Sequence, residues 1–370
     1  MKFLVVTLAP TLKNEGKYSS YAPYVYEMNL WSKHINELGV VSPVKYDKEL
    51  LLSNFDKEPT IFSTPSLFFN SLKGVATSLV NLPLIIYKIY VGMKWADHIH
   101  LRCPANISLL ACIVQILFPN KPKTAKYAGN WDPNAKQPLS YKIQRWILSN
   151  TFLTKNIKVL IYGEWPKQSK NIKPFFTATY LASEISPLKI KSFDGKINFI
   201  FVGGLTPGKQ PLVSVKVIQQ LFKRGYDVVL NIYGDGAEKG KIVNYIQEND
   251  LDEIIKLHGN VNKEVIKEAF QQSHFLVFIS KSEGWPKVVA EAMCSGCLPI
   301  STPVSCVPYM LGEGERGSIV SSNVNEIEQE VIAYLSNHML YKKKLQQAYK
   351  WSSQFTLDKF ETEIKKLLVE

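Results

Sequence analysis

Short runs of apolar, often β-branched residues alternate with longer amphipathic stretches along the whole sequence. Such an alternation is typical of parallel β-sheets whose strands are joined by helices that cover both faces. A polar stretch at residues 183–195, which contains Pro187 and the pair Asp194-Gly195, divides the alternation into two series. The pattern therefore predicts an α/β protein with two Rossmann-like, doubly wound units.

The chain length also favours two domains. With 370 residues, the chain exceeds the size at which a single hydrophobic core usually stops growing. We predict an N-terminal domain over residues 1–190 and a C-terminal domain over residues 196–350, facing each other across a central cleft in which ligands bind. A final helix, about residues 355–370, is predicted to pack back on the first domain.

Individual elements follow from the same pattern. In the first series, strands are predicted at residues 2–8, 60–63, 97–101, 124–128 and 159–162, and helices at 24–38, 67–95, 107–117 and 140–148. In the second series, strands are predicted at residues 197–202, 228–233, 254–258, 275–279, 298–301 and 318–320, and helices at 212–223, 237–249, 264–272 and 286–295. Only helical patterns follow residue 323.

Positive charge is concentrated in the first half of the chain. Residues 1–200 contain 25 Lys and Arg against 12 Asp and Glu, whereas the remaining residues contain 19 against 20. A basic domain predicts an anionic partner, either a phosphorylated acceptor or an anionic membrane surface. Nucleic acid is not expected, because no arginine-rich run or known nucleic-acid motif accompanies the lysines.

The cellular location is predicted from cysteine usage and from the apolar segments. Five cysteines, an odd number, do not suggest a disulfide framework, so we expect a cytoplasmic protein. The opening residues 2–8 predict a first strand, since no cleavage site follows them. Asn81, Pro83 and Lys88 interrupt the longest apolar stretch, which is therefore not expected to cross a bilayer.

Two interpretations fit the apolar helix predicted at residues 67–95. Its apolar side chains are bordered by Lys73, Lys88 and Lys94, an arrangement that suits contact with the anionic inner face of the cell membrane. Alternatively, the helix simply covers the sheet of the first domain. The first interpretation predicts a peripheral membrane protein.

A glycine-rich loop, residues 203–209 (GGLTPGK), opens the second series directly after a predicted strand. Its spacing is that of a P-loop, but Gln210 stands where a P-loop requires Ser or Thr to hold Mg²⁺. Two interpretations remain. Either Gly203 and Gly204 let the backbone approach a diphosphate that Lys209 neutralises, or the segment is an ordinary turn with a solvated lysine.

An acidic loop follows the strand predicted at residues 275–279. Gly284 permits a close backbone approach and Pro286 suits the first position of a helix, so the amides near Gly284, Trp285 and Pro286 are expected to form an anion site. Glu283 precedes this helix mouth and has no part in helix stability. Glu291 lies farther along the helix, where a surface ion pair with Lys287 is an alternative explanation for it.

These acidic residues carry a resemblance to a known family. Glu283 and Glu291 are separated by seven residues within the segments SEGWP and EAM, and they resemble the E-x7-E motif of group 1 glycosyltransferases of family 4, which have the GT-B fold. The resemblance extends in the family's order over about residues 198–320, through the glycine loop and the segments YGDG, HGNV and GCLPI. The segments YAGNW and GEWP of the first half resemble polysaccharide-assembly members more loosely.

The resemblance implies a reaction and the roles of five residues. It implies retaining transfer of a hexose-type sugar from a UDP- or GDP-sugar to a glycan or polyprenyl-diphosphate-linked acceptor, with no cofactor. Glu283 then corresponds to the residue that contacts the donor sugar hydroxyls, and Glu291 to the one that holds the ribose. Lys209 corresponds to the lysine that neutralises the leaving diphosphate, and Asn260 and Val261 to the segment that brackets the nucleobase.

One departure from the family concerns the glycine loop. Many members carry Arg where this chain has Gly204. Either another basic residue compensates, with Arg102 as our choice, or turnover is slow, or the protein is a silent nucleotide-sugar binder.

No metal is expected to take part. Asp250 and Asp252 spell the Asp-x-Asp of metal-dependent transferases, but they lie where a helix ends in a charged stretch, so we interpret them as solvated. Without a metal, Lys209 and the helix amides must stabilise the leaving group. Activity is therefore expected to persist in EDTA. Cys294 and Cys297, which spell C-x-x-C, are expected to be structural.

The acceptor is expected to bind the first domain. Arg102, just past a predicted strand, suits a phosphate better than a structural ion pair at the carboxyl edge of the sheet. Further acceptor contacts are predicted at the ends of the next two strands and in the loop after the first strand, namely Asn130, Trp131, Glu164, Trp165, Lys17 and Tyr18. The two tryptophans fit sugar stacking and domain-interface packing equally well. The competing functions are a nucleotide-sugar epimerase and the silent binder.

Overall fold

In the computed structural model, which describes residues 1–14, 16–46, 50–69 and 71–369, the chain forms two compact units. Unit 1 consists of Met1–Phe175 and Glu361–Glu370, and unit 2 of Phe176–Phe360. The boundary therefore precedes the polar stretch at residues 183–195, which lies within unit 2. Both units have the predicted fold class, a parallel sheet covered by helices.

Unit 1 contains a seven-stranded parallel sheet of order β10-β9-β8-β7-β1-β4-β6 and a small antiparallel sheet of order β2-β3-β5. The strands are β1 Lys2–Val6, β2 Leu12–Asn14, β3 Lys17–Tyr21, β4 Glu37–Pro43, β5 Leu52–Asn54, β6 Thr60–Thr64, β7 His98–Cys103, β8 Lys123–Tyr127, β9 Ile157–Tyr162 and β10 Ile172–Phe175. The helices are α1 Ala22–Ser32, α2 Leu72–Trp95, α3 Asn106–Val114, extended by a 3₁₀ turn at Gln115–Leu117, and α4 Leu139–Ser149.

The two faces of this sheet are covered differently. Helix α1 covers one face, where the Trp31 ring packs on Phe3 and His100. Helices α2, α3 and α4 cover the other, and Ile85, Ile89 and Met93 of α2 are fully buried against it. Each such side chain contributes roughly 1.5–3 kcal/mol through removal from water, which fixes α2 on the sheet.

Two predictions for unit 1 were wrong. Strand β4 occupies part of the predicted helix 24–38, because the buried run from Leu38 to Val41 pairs with β1 and the Trp95 ring packs over Gly39. The loop expected after β1 instead forms β2 and β3, which pair with β5 from a later part of the chain. Helix α2 begins at Leu72 rather than residue 67; residue 70 of that prediction lies outside the described residues.

Unit 2 contains a six-stranded parallel sheet of order β13-β12-β11-β14-β15-β16. Its strands are β11 Ile197–Val202, β12 Val228–Tyr233, β13 Ile255–Gly259, β14 Phe275–Phe278, β15 Leu298–Ser301 and β16 Ser318–Ile319. Its helices are α5 Pro211–Lys223, α6 Lys239–Glu248, α7 Lys263–Gln272, α8 Lys287–Cys294, α9 Val307–Leu311, α10 Val324–Ser336 and α11 His338–Ser352, with 3₁₀ turns at Ala182–Glu184 and Gly312–Gly314.

The last helix, α12, spans Leu357–Val369, and residue 370 of the predicted helix lies outside the described residues. From Glu361 onward it groups with unit 1, where the Glu361 carboxylate pairs with Lys33 and His34.

The strand order of unit 2 determines where a ligand can bind. Strands β11 and β14 are neighbours and pair in parallel, although β12 and β13 separate them in sequence. This reversal of strand order opens a crevice at the carboxyl ends of the two strands. The glycine loop follows β11 and the acidic loop follows β14, so both loops lie at that position.

Candidate functional site

The glycine loop is held by backbone contacts with the loop after β12. The amide of Gly203 donates to the Tyr233 carbonyl (2.9 Å), and the amide of Leu205 donates to the Asp235 carbonyl (3.0 Å). A Cβ at Gly234 would lie 2.0 Å from the Gly203 carbonyl oxygen, and Gly234 has a φ of +136°. Only glycine fits there, because both the close approach and the backbone conformation exclude a side chain.

The acidic loop is tied to the glycine loop. The amide of Lys281 donates to the Gly208 carbonyl (2.8 Å), and the Ser280 hydroxyl donates to the same oxygen (3.3 Å). From the other side, the Ser305 hydroxyl donates to the Gly284 carbonyl (2.9 Å). These bonds fix the loop that carries Glu283 against the loop that carries Lys209.

Lys209 and Glu283 form an ion pair across the two loops, between Lys209 Nζ and Glu283 Oε1. The Glu283 side chain is 10% exposed and that of Lys209 27%, so both are partly accessible to solvent. Lys209 Nζ also lies 4.7 Å from the centroid of the Phe278 ring. Lys209, predicted to meet the diphosphate, and Glu283, predicted to contact the donor sugar, thus lie together where the strand order reverses.

Glu291 lies about one turn into α8, and its carboxyl group accepts a hydrogen bond from the Thr179 hydroxyl (2.6 Å). Burial raises the pKa of Glu291 above its usual value, while Thr179 and the charge of Lys287 act in the opposite direction. A carboxyl group with a raised pKa and a neighbouring hydroxyl is suited to exchanging hydrogen bonds with ligand hydroxyl groups.

The remaining predicted donor contacts differ in their accessibility. Asn260 and Val261 are exposed directly after β13, at the carboxyl edge of the same sheet. Trp285, in contrast, is buried, and its ring packs on Trp351 and Phe355. The prediction that Trp285 lines the donor site is therefore wrong for its ring. Gly284 and Pro286, on either side, lie in the acidic loop as predicted.

Arg102 was expected to meet a phosphate rather than form a structural ion pair, and the structure corrects this expectation. Its guanidinium pairs with Glu27 of α1, and Lys126 of β8 pairs with the same carboxylate (2.7 Å). Lys126 is only 1% exposed, so the cluster belongs to the interior of unit 1. Although burial alone would raise the pKa of Glu27, Arg102 and Lys126 lower it to about 2.

The two tryptophans that were predicted to contact the acceptor, after β8 and β9, are buried and half-buried, respectively. Trp131 is buried on Tyr127, and its Nε1 donates to Gln168 (3.0 Å), so its ring is unavailable for sugar stacking. Trp165 is half-buried against the core of unit 1, with its Nε1 bonded to the Tyr162 carbonyl (2.9 Å). Both rings pack within unit 1.

The polar residues that were predicted to contact the acceptor are at least partly exposed to solvent. Asn130 is half-buried and Glu164 is exposed beyond the ends of β8 and β9. Lys17 is exposed and Tyr18 half-buried in β3, within the small antiparallel sheet, where the Tyr18 ring lies 5.4 Å from Lys13 Nζ. No hydrogen bond or ion pair singles these four residues out as a ligand site.

Unit 1 contains a cavity of about 730 Å³ that was not predicted from the sequence. It lies at the carboxyl ends of β1, β4 and β6 beside α2, and its lining is largely apolar, with Lys45 and Lys88 among the residues that line it. Leu84 and Lys88 contribute from one face of α2. The alternation of apolar and basic residues in α2 is the sequence feature that could have indicated the cavity.

The Asp-x-Asp and C-x-x-C motifs were interpreted as solvated and structural, respectively. Within the described ranges, no group of three or more His, Cys, Asp or Glu side chains is arranged to hold a metal ion. Asp250 and Asp252 are exposed just after α6. Cys294 and Cys297 are free and buried, and burial raises the pKa of both thiols to about 12.

Comparison with known protein sequences finds similarity to a family within unit 2. Residues 183–351 match the family model described as glycosyl transferases group 1. The uncharacterized glycosyltransferase MJ1178 of Methanocaldococcus jannaschii is 26% identical over 179 residues, which are 48% of this chain and 49% of the relative. The poly(glycerol-phosphate) alpha-glucosyltransferase of Bacillus subtilis is 22% identical over 49% of this chain and 27% of its own length. The chain thus spans about half of the first relative and about a quarter of the second.

Solved structures show the same fold over the whole chain. Anabaena Alr3699/HepE in complex with UDP and glucose aligns with a TM-score of 0.69 at 13% identity, and the match covers 100% of both chains. The lipopolysaccharide outer core galactosyltransferase WaaB aligns with a TM-score of 0.71 at 14% identity over 100% of this chain and 99% of its own. The chain therefore has the GT-B fold, and its residues 183–351 match the family model of the group 1 glycosyl transferases.

Proposed function

We propose that the chain is a retaining, metal-independent hexosyltransferase of family 4 that acts in surface polysaccharide biosynthesis. In this proposal unit 2 binds a UDP- or GDP-sugar, and unit 1 binds a glycan or polyprenyl-diphosphate-linked acceptor. The supporting observation is the Lys209–Glu283 pair at the strand-order reversal of a group 1 glycosyl transferase segment. We also propose a cytoplasmic location.

The chemistry of the donor site follows from charge. When the bond between the sugar and the phosphate breaks, negative charge develops on the diphosphate and positive charge on the anomeric carbon. When the donor binds, Lys209 leaves its partner Glu283 and pairs with the diphosphate. The backbone amides at the start of α8 also turn the positive ends of their dipoles towards the diphosphate. The released Glu283 carboxylate then accepts hydrogen bonds from the sugar hydroxyls, and Glu291 bonds the ribose.

The relatives support the donor and acceptor classes. The HepE structure contains UDP and glucose. The relatives also include the GDP-mannose:cellobiosyl-diphosphopolyprenol alpha-mannosyltransferase of Xanthomonas oryzae, 22% identical over 49% of this chain. Within unit 1, the apolar cavity beside α2, with Lys45 and Lys88 in its lining, suits an acceptor that combines a hydrocarbon chain with phosphate. These observations favour a lipid-linked acceptor.

The proposal is tested by incubating the full chain with UDP-, GDP- and ADP-sugars and measuring nucleotide release, with and without a lipid extract and with and without EDTA. We expect release from a UDP- or GDP-sugar that depends on the extract and persists in EDTA. Binding of a nucleotide sugar without release under any condition would instead support the silent binder, and release that needs no acceptor would support an epimerase or hydrolase. Loss of release in EDTA would contradict the metal-independent mechanism.

A gain of function is expected at Gly204. Its side-chain position is open, with the Thr206 methyl at 3.7 Å as the nearest atom, so an arginine fits. Because a second cation near the diphosphate stabilises the leaving group, Gly204→Arg should increase nucleotide release about tenfold or more, a charge-assisted hydrogen bond being worth about 1.5–3 kcal/mol. Single-turnover kinetics measure this change. Gly204→Gln, of similar size but uncharged, is the control and should give no comparable increase.

A further inference from the structure

The outer face of unit 1 carries an unusually apolar surface, formed by the three helices that cover one side of the sheet. On α2, the exposed apolar residues Val80, Leu84 and Tyr87 recur every three or four positions, with Val80 79% exposed. With 3.6 residues per turn, these three residues lie opposite the buried side chains of Ile85, Ile89 and Met93. Helix α2 is therefore apolar on both faces, which in an isolated soluble protein leaves one apolar face in water.

The neighbouring helices continue this surface. Helix α3 packs against both α2 and α4. Leu139, Ile143 and Trp146 form an exposed stripe on α4, with Leu139 72% and Trp146 62% exposed, and Phe152 follows directly after the helix. On α3 and its 3₁₀ extension, Ile113 and Leu117 are exposed at a spacing of four residues. We call this surface the three-helix face; scattered apolar residues are normal, but a set on three adjacent helices marks an interaction surface.

Charge determines which partner fits the three-helix face. Helices α2, α3 and α4 contain no Asp or Glu, whereas they carry the cations Lys73, Lys88, Lys94, Lys142 and Arg145. A twofold contact between two copies would bring identical patches together, and these cations would then repel one another. An anionic bilayer surface instead combines acyl chains for the apolar stripes with phosphates for the lysines.

The orientation of α2 is restricted by its packing. By length and composition α2 could span a membrane, contrary to the expectation from its interrupting polar residues. However, its inner face is buried on the sheet of unit 1, so crossing would require that core to open. Any contact of α2 with a bilayer would therefore leave the helix parallel to the bilayer plane.

We propose that the three-helix face docks unit 1 onto an anionic lipid bilayer, with the apolar stripes at the boundary between headgroups and acyl chains. The cavity lined by Leu84 and Lys88 then opens beside the bilayer. This docking deepens the proposed lipid-linked acceptor. Vesicle binding requires no sugar transfer, so it succeeds or fails independently of transferase activity.

Co-sedimentation of the full chain with vesicles tests the proposal. We expect binding to vesicles of phosphatidylglycerol and phosphatidylcholine in equal parts, weaker binding in high salt and much weaker binding to pure phosphatidylcholine. The triple variant Val80→Ser, Tyr87→Ser, Trp146→Ser should lower the partition coefficient about tenfold or more, because less apolar area enters the bilayer. The three side chains are exposed, and an unchanged thermal transition verifies that the variant folds.

Unit 2 offers a matched control. Phe222→Ser, Val265→Ser, Met339→Ser removes three exposed apolar side chains outside the three-helix face and should leave vesicle binding unchanged. The proposal is overturned if the wild-type chain does not bind the anionic vesicles or if both triple variants bind equally well. It is also overturned if light scattering shows a dimer that only the first variant dissociates, since a second copy then occupies the face.

Discussion

Replacing Lys209 with alanine is expected to lower nucleotide-sugar turnover by about 100-fold or more, the effect of removing one preorganised donor from a developing anion. The Lys209 ammonium forms an ion pair with Glu283 at the end of β11 and β14, where the diphosphate of a nucleotide sugar would meet it. No other cation is paired with Glu283 in the described part of unit 2. Steady-state and single-turnover nucleotide release measure the loss.

The effect of Lys209→Ala on folding should be much smaller. Because the lysine is partly exposed, losing the pair costs at most about 1–2 kcal/mol of unfolding free energy, mainly from the Glu283 carboxylate left without its partner. Lys223→Ala, at the exposed end of α5, is the matched control and should retain full activity. Full activity in Lys209→Ala would refute the assignment, and an unfolded variant would be recognised by its lost thermal transition.

The second large effect is expected for stability. Glu27→Gln should destabilise unit 1 by about 3–5 kcal/mol, because it leaves the charges of Arg102 and Lys126 close together in the interior without their shared carboxylate. Calorimetry of the full chain should show one transition lowered by about 10 °C. Glu361→Gln is the matched control; that carboxylate pairs with Lys33 and His34 but is more exposed, so its loss should cost less than about 1 kcal/mol.

The same cluster predicts a pH dependence. Since the pKa of Glu27 is lowered to about 2 from an ordinary value of 4.5, its contribution is complete above about pH 4.5 and is lost as the pH falls towards 2. The stability difference between wild type and Glu27→Gln should therefore shrink on acidification. Burial also lowers the pKa of His98 to about 4, so both proteins lose stability through this histidine, and only their difference reports on Glu27. A difference that stayed constant from pH 6 to pH 3 would contradict the prediction.

Much of unit 2 was predictable because the determining information is local. Strands β11, β12 and β15 lie at the predicted residues, since buried parallel strands are short apolar runs bounded by glycine or helix-starting residues. The loops of Lys209 and Glu283 were each predicted to follow a strand directly, as they do. The side-chain pairing itself depends on β11 and β14 being neighbours, which the strand order provides.

Fewer features of unit 1 could be predicted from the sequence, because they depend on contacts between segments that are distant along the chain. Arg102 has the sequence context of a phosphate ligand, and only the packing of α1, 75 residues earlier, gives it Glu27 as a partner. The Trp131 ring is likewise removed from solvent by residues of other elements. The amino-acid sequence by itself determined the α/β class, the two units and the residues of the donor loops, because these follow from local periodicity. Only the tertiary structure decided which charges are neutralised, which aromatic rings are buried and which apolar face of α2 meets water, because each depends on long-range packing.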